Sequence, residues 1–176
     1  MNLTPVQQKF VLHWGEMGTR WGINRTVAQV HALLFIAPRP LDAETIADTL
    51  SVARSNVSTS LKELQGWGIV KVVHVMGDRR DHFESMKDVW ELFEVVLTER
   101  KRREIDPTLA VLRECMVEAD KAGPAEAHTK QRLSELLGFF ELMNGWYDQI
   151  RSMPTQAVLK FVKLGGKVKK LLGLAG

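Results

Sequence analysis

The chain has 176 residues, 45% of them hydrophobic and 26% charged, proportions that exclude disorder and a collagen-like fibre and fit one domain or two small ones sharing a core. Its longest apolar run, Ala32 to Ala37, is far short of the ~20 residues that a spanning helix needs. Met1–Phe10 is too polar for a signal peptide, and a single cysteine, Cys115, excludes a disulfide framework and fits a cytoplasmic location. The net charge of +3 is small but unevenly laid out. Residues 53–80 hold five bases against two acids, 87–151 hold ten against thirteen, and 152–176 hold five lysines and no acid. That division points to local anionic contacts rather than a uniformly basic coat.

Thr4 followed by Pro5 is an N-cap with a proline at the first helical position. It predicts a helix to about Gly18, with Phe10, Leu12, Trp14 and Met17 apolar. A second helix is expected over about 25–37, apolar around much of its circumference and therefore central; Pro38 and Pro40 stop it. Asp42 is the expected cap of a short helix over 43–50, and Ser51 and Val52 form a tight turn. The next helix runs from about Arg54 to Trp67 and ends at Gly68, with Val57, Leu61 and Leu64 marking its buried side. Residues 69–75 and 81–86 read as a β-hairpin joined by Gly77-Asp78-Arg79-Arg80. From Lys87 the pattern is helical again. Asp106-Pro107 is expected to break it and cap a new helix, Gly123-Pro124 to turn it, and Leu133, Leu136, Leu137, Phe140, Met143, Tyr147 and Ile150 to form one long seam ending near Met153-Pro154.

Two short helices across a tight turn, followed by a basic hairpin, make a winged helix-turn-helix. The fold expected is mostly α with a small β wing (α+β): a DNA-binding domain over 1–86, a helical dimerisation region over 87–151, and a basic amphipathic tail over 152–176. The second helix of the motif hides its apolar side and presents Arg54, Ser55, Asn56, Ser58, Thr59 and Lys62. Short side chains near the middle let it approach base edges in the major groove. Arg54 and Asn56 suit paired hydrogen bonds to guanine or adenine, while the hydroxyls and Lys62 suit phosphates. Arg79 and Arg80 are expected to project from the hairpin tip, one into a minor groove and one onto the backbone, with Asp78 steadying a neighbouring arginine.

At these residues the chain resembles a known family. Ile46-Ala47-Asp48-Thr49-Leu50, Arg54-Ser55-Asn56-Val57-Ser58, Leu61-Lys62-Glu63-Leu64, Trp67-Gly68-Ile69-Val70 and Gly77-Asp78-Arg79-Arg80 look like the MarR-type winged-helix regulators. Lys87-Asp88-Val89-Trp90 and the run from Glu99 to Pro107 are similar to the GbsR-like branch, named for regulators of glycine betaine synthesis and osmolyte uptake. The resemblance covers about residues 5–150. It implies a homodimeric transcriptional regulator, a repressor by expectation, whose helices beyond the wing form the two-fold interface with the first helix. Two recognition helices would then meet a pseudo-palindrome about one turn apart, at ~34–36 Å. Ala53 departs from the pattern where a capping serine is common, with Ser55 near enough to compensate partly, and Ser51 stands in place of a turn glycine.

Other constellations carry less. The five histidines show no metal-ligand spacing with Cys or Glu, and no phosphate-binding glycine loop follows a strand, so neither enzyme nor cofactor is expected. Asp81-His82 reads as a surface pair, Cys115 as a small buried hydrophobe, and Arg100–Arg103 as a solvated run paired with nearby glutamates. Trp21 and Trp90, near the expected domain junction, are candidates for binding a small effector such as a quaternary ammonium osmolyte through their ring faces. In the tail, Lys160, Lys163, Lys167 and Lys170 share one helical face. Docking on a partner subunit is preferred there over DNA or an anionic membrane. Two alternatives stand beside a ligand-responsive repressor: a DNA-binding regulator without a ligand, and a winged-helix scaffold for protein or membrane.

Overall fold

The structure is a computed structural model that describes residues 1–160 and Leu164. The tail face of Lys163, Lys167 and Lys170 therefore lies outside the described residues. Two compact units follow one another along the chain, the first being Met1–Val96 and the second starting at Leu97.

The first unit holds α1 (Pro5–Arg20), α2 (Arg25–Ile36), β1 (Leu41–Asp42), α3 (Ala43–Leu50), α4 (Arg54–Gly66), β2 (Val70–Val73), β3 (His82–Ser85) and the start of α5 (Val89–Arg100). Local chemistry sets most of these bounds. Thr4 and Gln7 form a reciprocal capping box at the head of α1. Asn24 caps α2, and Asp42 caps α3 by accepting from the Glu44 and Thr45 amides. Gly68, at φ +75°, lets the chain turn from α4 into the hairpin. α2 is the central helix, with Val30, Ala32, Leu33 and Leu34 almost wholly inaccessible. Ile46 from α3, Val57, Leu61 and Leu64 from α4, and Ile69 and Val70 from the hairpin close the core around it. α1 lies tightly on α2: a Cβ added at Gly18 would come within 2.5 Å of the Ala28 Cβ.

Two features of this unit differ from the sequence expectation. The hairpin strands are shorter than 69–75 and 81–86, and a third strand joins them. The sheet has the order β1-β3-β2, all antiparallel, with Leu41 opposite Phe83 and Val72 opposite Phe83 on its other side. The second is His82, which is not a surface residue. Its position opposite Asp42 in the sheet buries it, and its Nδ1 lies 2.9 Å from the Arg80 carbonyl oxygen.

In the second unit, α6 (Asp106–Ala122) packs against α7 (Ala127–Arg151). Leu109, Leu112 and Ala119 are buried, and Thr98 and Tyr147 share a hydrogen bond of 2.9 Å. The break expected at Asp106-Pro107 does not occur. The chain stays helical through a five-residue π turn, Lys101–Ile105. Proline lacks an N–H and crowds the carbonyl four residues back, and the wider π turn accommodates both defects without ending the helix. Asp106 is not a cap; it accepts from Lys101 Nζ at 2.7 Å. The long seam also divides. Leu133, Leu137, Phe140 and Tyr147 are half-buried, while Leu136, Phe139, Leu142, Met143 and Trp146 form an exposed stripe.

Candidate nucleic-acid interface

Helix α4 presents the face its sequence implies. Arg54, Ser55, Asn56, Thr59 and Lys62 are exposed and Ser58 is half-buried, while Val57, Leu61 and Leu64 point into the core. The Thr59 hydroxyl donates to the Ser55 carbonyl at 3.1 Å, which leaves its oxygen able to accept from outside. The helix starts without a side-chain cap, so Ser55 does not replace the serine missing at Ala53. Before it, Ser51 closes α3 in the left-handed region at φ 53°, a conformation that disfavours any residue with a Cβ.

Between α4 and the hairpin lies an open groove of about 350 Å³. Arg54, Ser58, Lys62, Gln65, Arg80, Asp42 and Asp81 supply its polar edges, and Leu61, Val72 and Phe83 its floor. Of the three cations on this concave face Arg80 is ion-paired with Asp42 and Asp78, which leaves Arg54 and Lys62 on α4 to present positive charge beside an apolar base. Such a face attracts a polyanion and permits close approach.

The two wing arginines are not equivalent. Arg80 folds back. Its Nε donates to both Asp78 carboxylate oxygens at 3.0 and 3.1 Å, and its Nη2 reaches Asp78 at 2.6 Å. Its Nη1 lies 3.2 Å from Asp42, the residue that caps α3. One side chain therefore ties the wing turn to the helix-turn-helix. The Arg80 hydrogen bonds hold the Asp78 carboxyl down at about 2. Burial pushes the Asp42 carboxyl up, but hydrogen bonds from Thr45 and Glu44 and the Arg80 charge outweigh it and leave it below the usual carboxylate range. Arg79 is exposed, and among the described residues no acceptor engages it. Asp78 steadies Arg80, as the sequence implies. The second anchor at Asp42 was not legible, because its only sequence signal was a cap for its own helix.

The segment Lys87-Asp88-Val89-Trp90 joins two caps. Lys87 Nζ donates to the carbonyls of Leu34, Phe35 and Ala37 at 2.9, 2.8 and 3.3 Å, closing the C-terminus of α2. Burial draws its pKa down, against an opposing pull from Glu84. Asp88 accepts from the Trp90 and Glu91 amides and starts α5. In the second unit, the basic run is neutralised locally: Lys101 pairs with Asp106, and Arg102 and Arg103 with Glu99. The two candidate effector residues sit in separate ring pairs. Trp21 meets Trp14 edge-on at 6.1 Å, and Trp90 meets Phe93 edge-on at 6.4 Å. Cys115 is half-buried.

Comparison with known proteins agrees with this geometry. Residues 21–81 match the sequence model of the MarR family. The HTH-type transcriptional repressor GbsR of Bacillus subtilis (strain 168) is 21% identical over 154 residues, covering 84% of this chain and 85% of that protein. A solved structure titled as that of a transcriptional regulator is 20% identical, with a TM-score of 0.55 over 90% of this chain and 99% of its own, which supports the fold. The matched span runs from the end of α1 through the helix-turn-helix to the wing, and over it this chain is similar to the MarR family.

Proposed function

We propose that this chain is a transcriptional repressor that binds double-stranded DNA as a homodimer in the cytoplasm. The observation that carries the reading is the exposed polar face of α4, flanked by a wing that one arginine braces against the same helix-turn-helix. In this reading α4 enters the major groove. Arg54 and Asn56 read base edges, Ser55, Ser58, Thr59 and Lys62 hold phosphates, and Arg79 extends along the wing, with Arg80 setting the wing's position. MarR-type proteins are regulators rather than enzymes, and the relative from Bacillus subtilis is named a repressor. The exposed stripe on α7 supports self-association.

The test is selection of bound duplexes from random DNA, followed by affinity measurements on the selected sequence. Arg54→Ala or Asn56→Ala is expected to weaken binding by about 1–3 kcal/mol and to relax preference at one base position per half-site. Equal losses on selected and random DNA would assign both to the backbone, and failure to enrich any sequence would overturn specific binding. Release by a methylated cation extends the reading, supported by the 43% and 41% exposure of Trp21 and Trp90. Choline and betaine titrated to millimolar levels should lower DNA affinity and change tryptophan fluorescence; no change in either removes this extension.

A further inference from the structure

The wing ends in an apolar tip. The Val75 carbonyl accepts from the Asp78 amide at 3.1 Å, and of the two central residues only Gly77 has a positive φ, +85°. That combination is a type II turn with Met76 at its first corner. Met76 is 102% exposed, Val75 41% and Val72 36%, so the most exposed large hydrophobic side chain among the described residues stands at the very tip. The turn beneath it is held in place. Asp78 accepts from the Arg80 amide and side chain, and Arg80 reaches on to Asp42 at the head of α3. A braced turn that displays an unpacked methionine beside the unengaged cation of Arg79 is built to meet something outside this chain.

We propose that Met76 is an apolar wedge for the DNA minor groove, and so a further specificity-determining residue. The inference rests on the DNA-binding reading above. Charge selects the occupant: Arg79 is three residues away, and the groove that the wing shares with α4 carries Arg54 and Lys62 on its α4 side, its Arg80 being held by Asp78 and Asp42. A narrow minor groove concentrates negative potential and draws the guanidinium in. The thioether then lies against sugars and base edges, or enters a base step. Insertion is least costly at the flexible pyrimidine–purine steps, so Met76 would read deformability at positions that α4 does not touch.

The experiment compares Met76→Ala, Met76→Leu and Arg79→Ala in the full chain on a duplex selected by the unaltered protein. Met76→Ala should bind that duplex about tenfold more weakly, a loss typical of one groove contact. The dependence of its affinity on salt should be unchanged, because the thioether neutralises no phosphate. It should also bend the duplex less and lose preference at the flanking steps, while Met76→Leu restores most of the affinity. Arg79→Ala should instead flatten the salt dependence. The side chain of Met76 packs on nothing, so the thermal midpoint of Met76→Ala should match that of the unaltered chain. Equal affinity, bend and sequence preference for the unaltered protein and Met76→Ala would overturn the proposal while leaving DNA binding intact. So would an effect of Met76→Ala confined to self-association or to anionic vesicles. Failure of the unaltered protein to bind any duplex would overturn both readings.

Discussion

Arg79 and Arg80 are neighbours with the same charge and different duties. Arg80 commits its guanidinium to Asp78 and Asp42, whereas Arg79 has no such tie. Arg79→Ala should leave the unfolding midpoint unchanged and reduce the salt slope of DNA binding by roughly 0.9 for each phosphate it no longer neutralises, about twice that for a dimer. Arg80→Ala should lower the unfolding midpoint, and an NMR titration should show the Asp78 carboxyl rising from about 2 toward the ordinary 3.8. Identical behaviour of the two variants would show that the brace is not formed in solution. His31 supplies a second prediction at this scale. Its ring is buried beside Trp14 and Phe35, and its Nε2 has no hydrogen-bond partner. Burial, aided by the Lys87 charge, pushes its pKa from 6.5 down to about 4. The unfolded chain therefore binds the extra proton between those values. Stability is full above pH 6.5 and falls as pH drops toward 4, by roughly 3 kcal/mol in all. The lowered carboxyls of Asp42 and Asp78 act in a lower window, below about 3.8. Urea unfolding of His31→Phe should lose about 2 kcal/mol less than the unaltered chain between pH 7 and pH 4.5. Equal losses would mean that the imidazole is hydrated in the folded state.

At the scale of elements, the weak joint is the start of α4. Ala53 has the extended backbone of an N-cap, φ −60° and ψ 137°, but no oxygen to offer, and Ser51 before it sits at φ 53°. Ala53→Ser should add about 1 kcal/mol, seen as a higher urea midpoint with an unchanged m-value. No gain would show that the serine hydroxyl does not reach the third amide of the helix. The same joint shows why parts of the fold were legible and parts were not. Thr4-Pro5, Asp42 and Gly68 act on the residues beside them, so the bounds of the first four helices followed closely from the chain. β1 exists only because Leu41 meets Phe83, and His82 is buried only because Asp42 lies opposite, pairings that no local pattern encodes. The π turn before Pro107 is hidden for a related reason: the proline marks a defect, and the surroundings decide whether the helix ends or widens. The recognition face was readable because amphipathic spacing divides α4 cleanly. The brace from Arg80 to Asp42 was not, since its two ends lie on different elements.

For the whole molecule, the question is what covers α7. Leu136, Phe139, Leu142, Met143 and Trp146 are each between 43% and 71% exposed, and they lie within three turns of one helix. Burying a side chain of this size fully contributes about 1.5–3 kcal/mol, so several together are enough to drive association. Sequence periodicity alone placed Leu136 and Met143 of this stripe in one seam with the half-buried residues, because three- and four-residue steps fit both faces. The structure separates them, and the outer stripe is the face that the proposed dimer would cover. A homodimer also gives the single α4 its reach: two recognition helices about 34–36 Å apart can meet successive major grooves, whereas one copy holds a single half-site. Phe139→Asp combined with Trp146→Asp should therefore yield a monomer by sedimentation at micromolar concentration, with helical circular dichroism retained. The half-buried stripe of Leu133, Leu137, Phe140 and Tyr147 is untouched by those changes. The same variant should lose its preference for a two-half-site duplex over one cut to a single half-site. An unaltered chain that sediments as a monomer, or a double variant that stays dimeric, would place the two-fold contact somewhere other than α7.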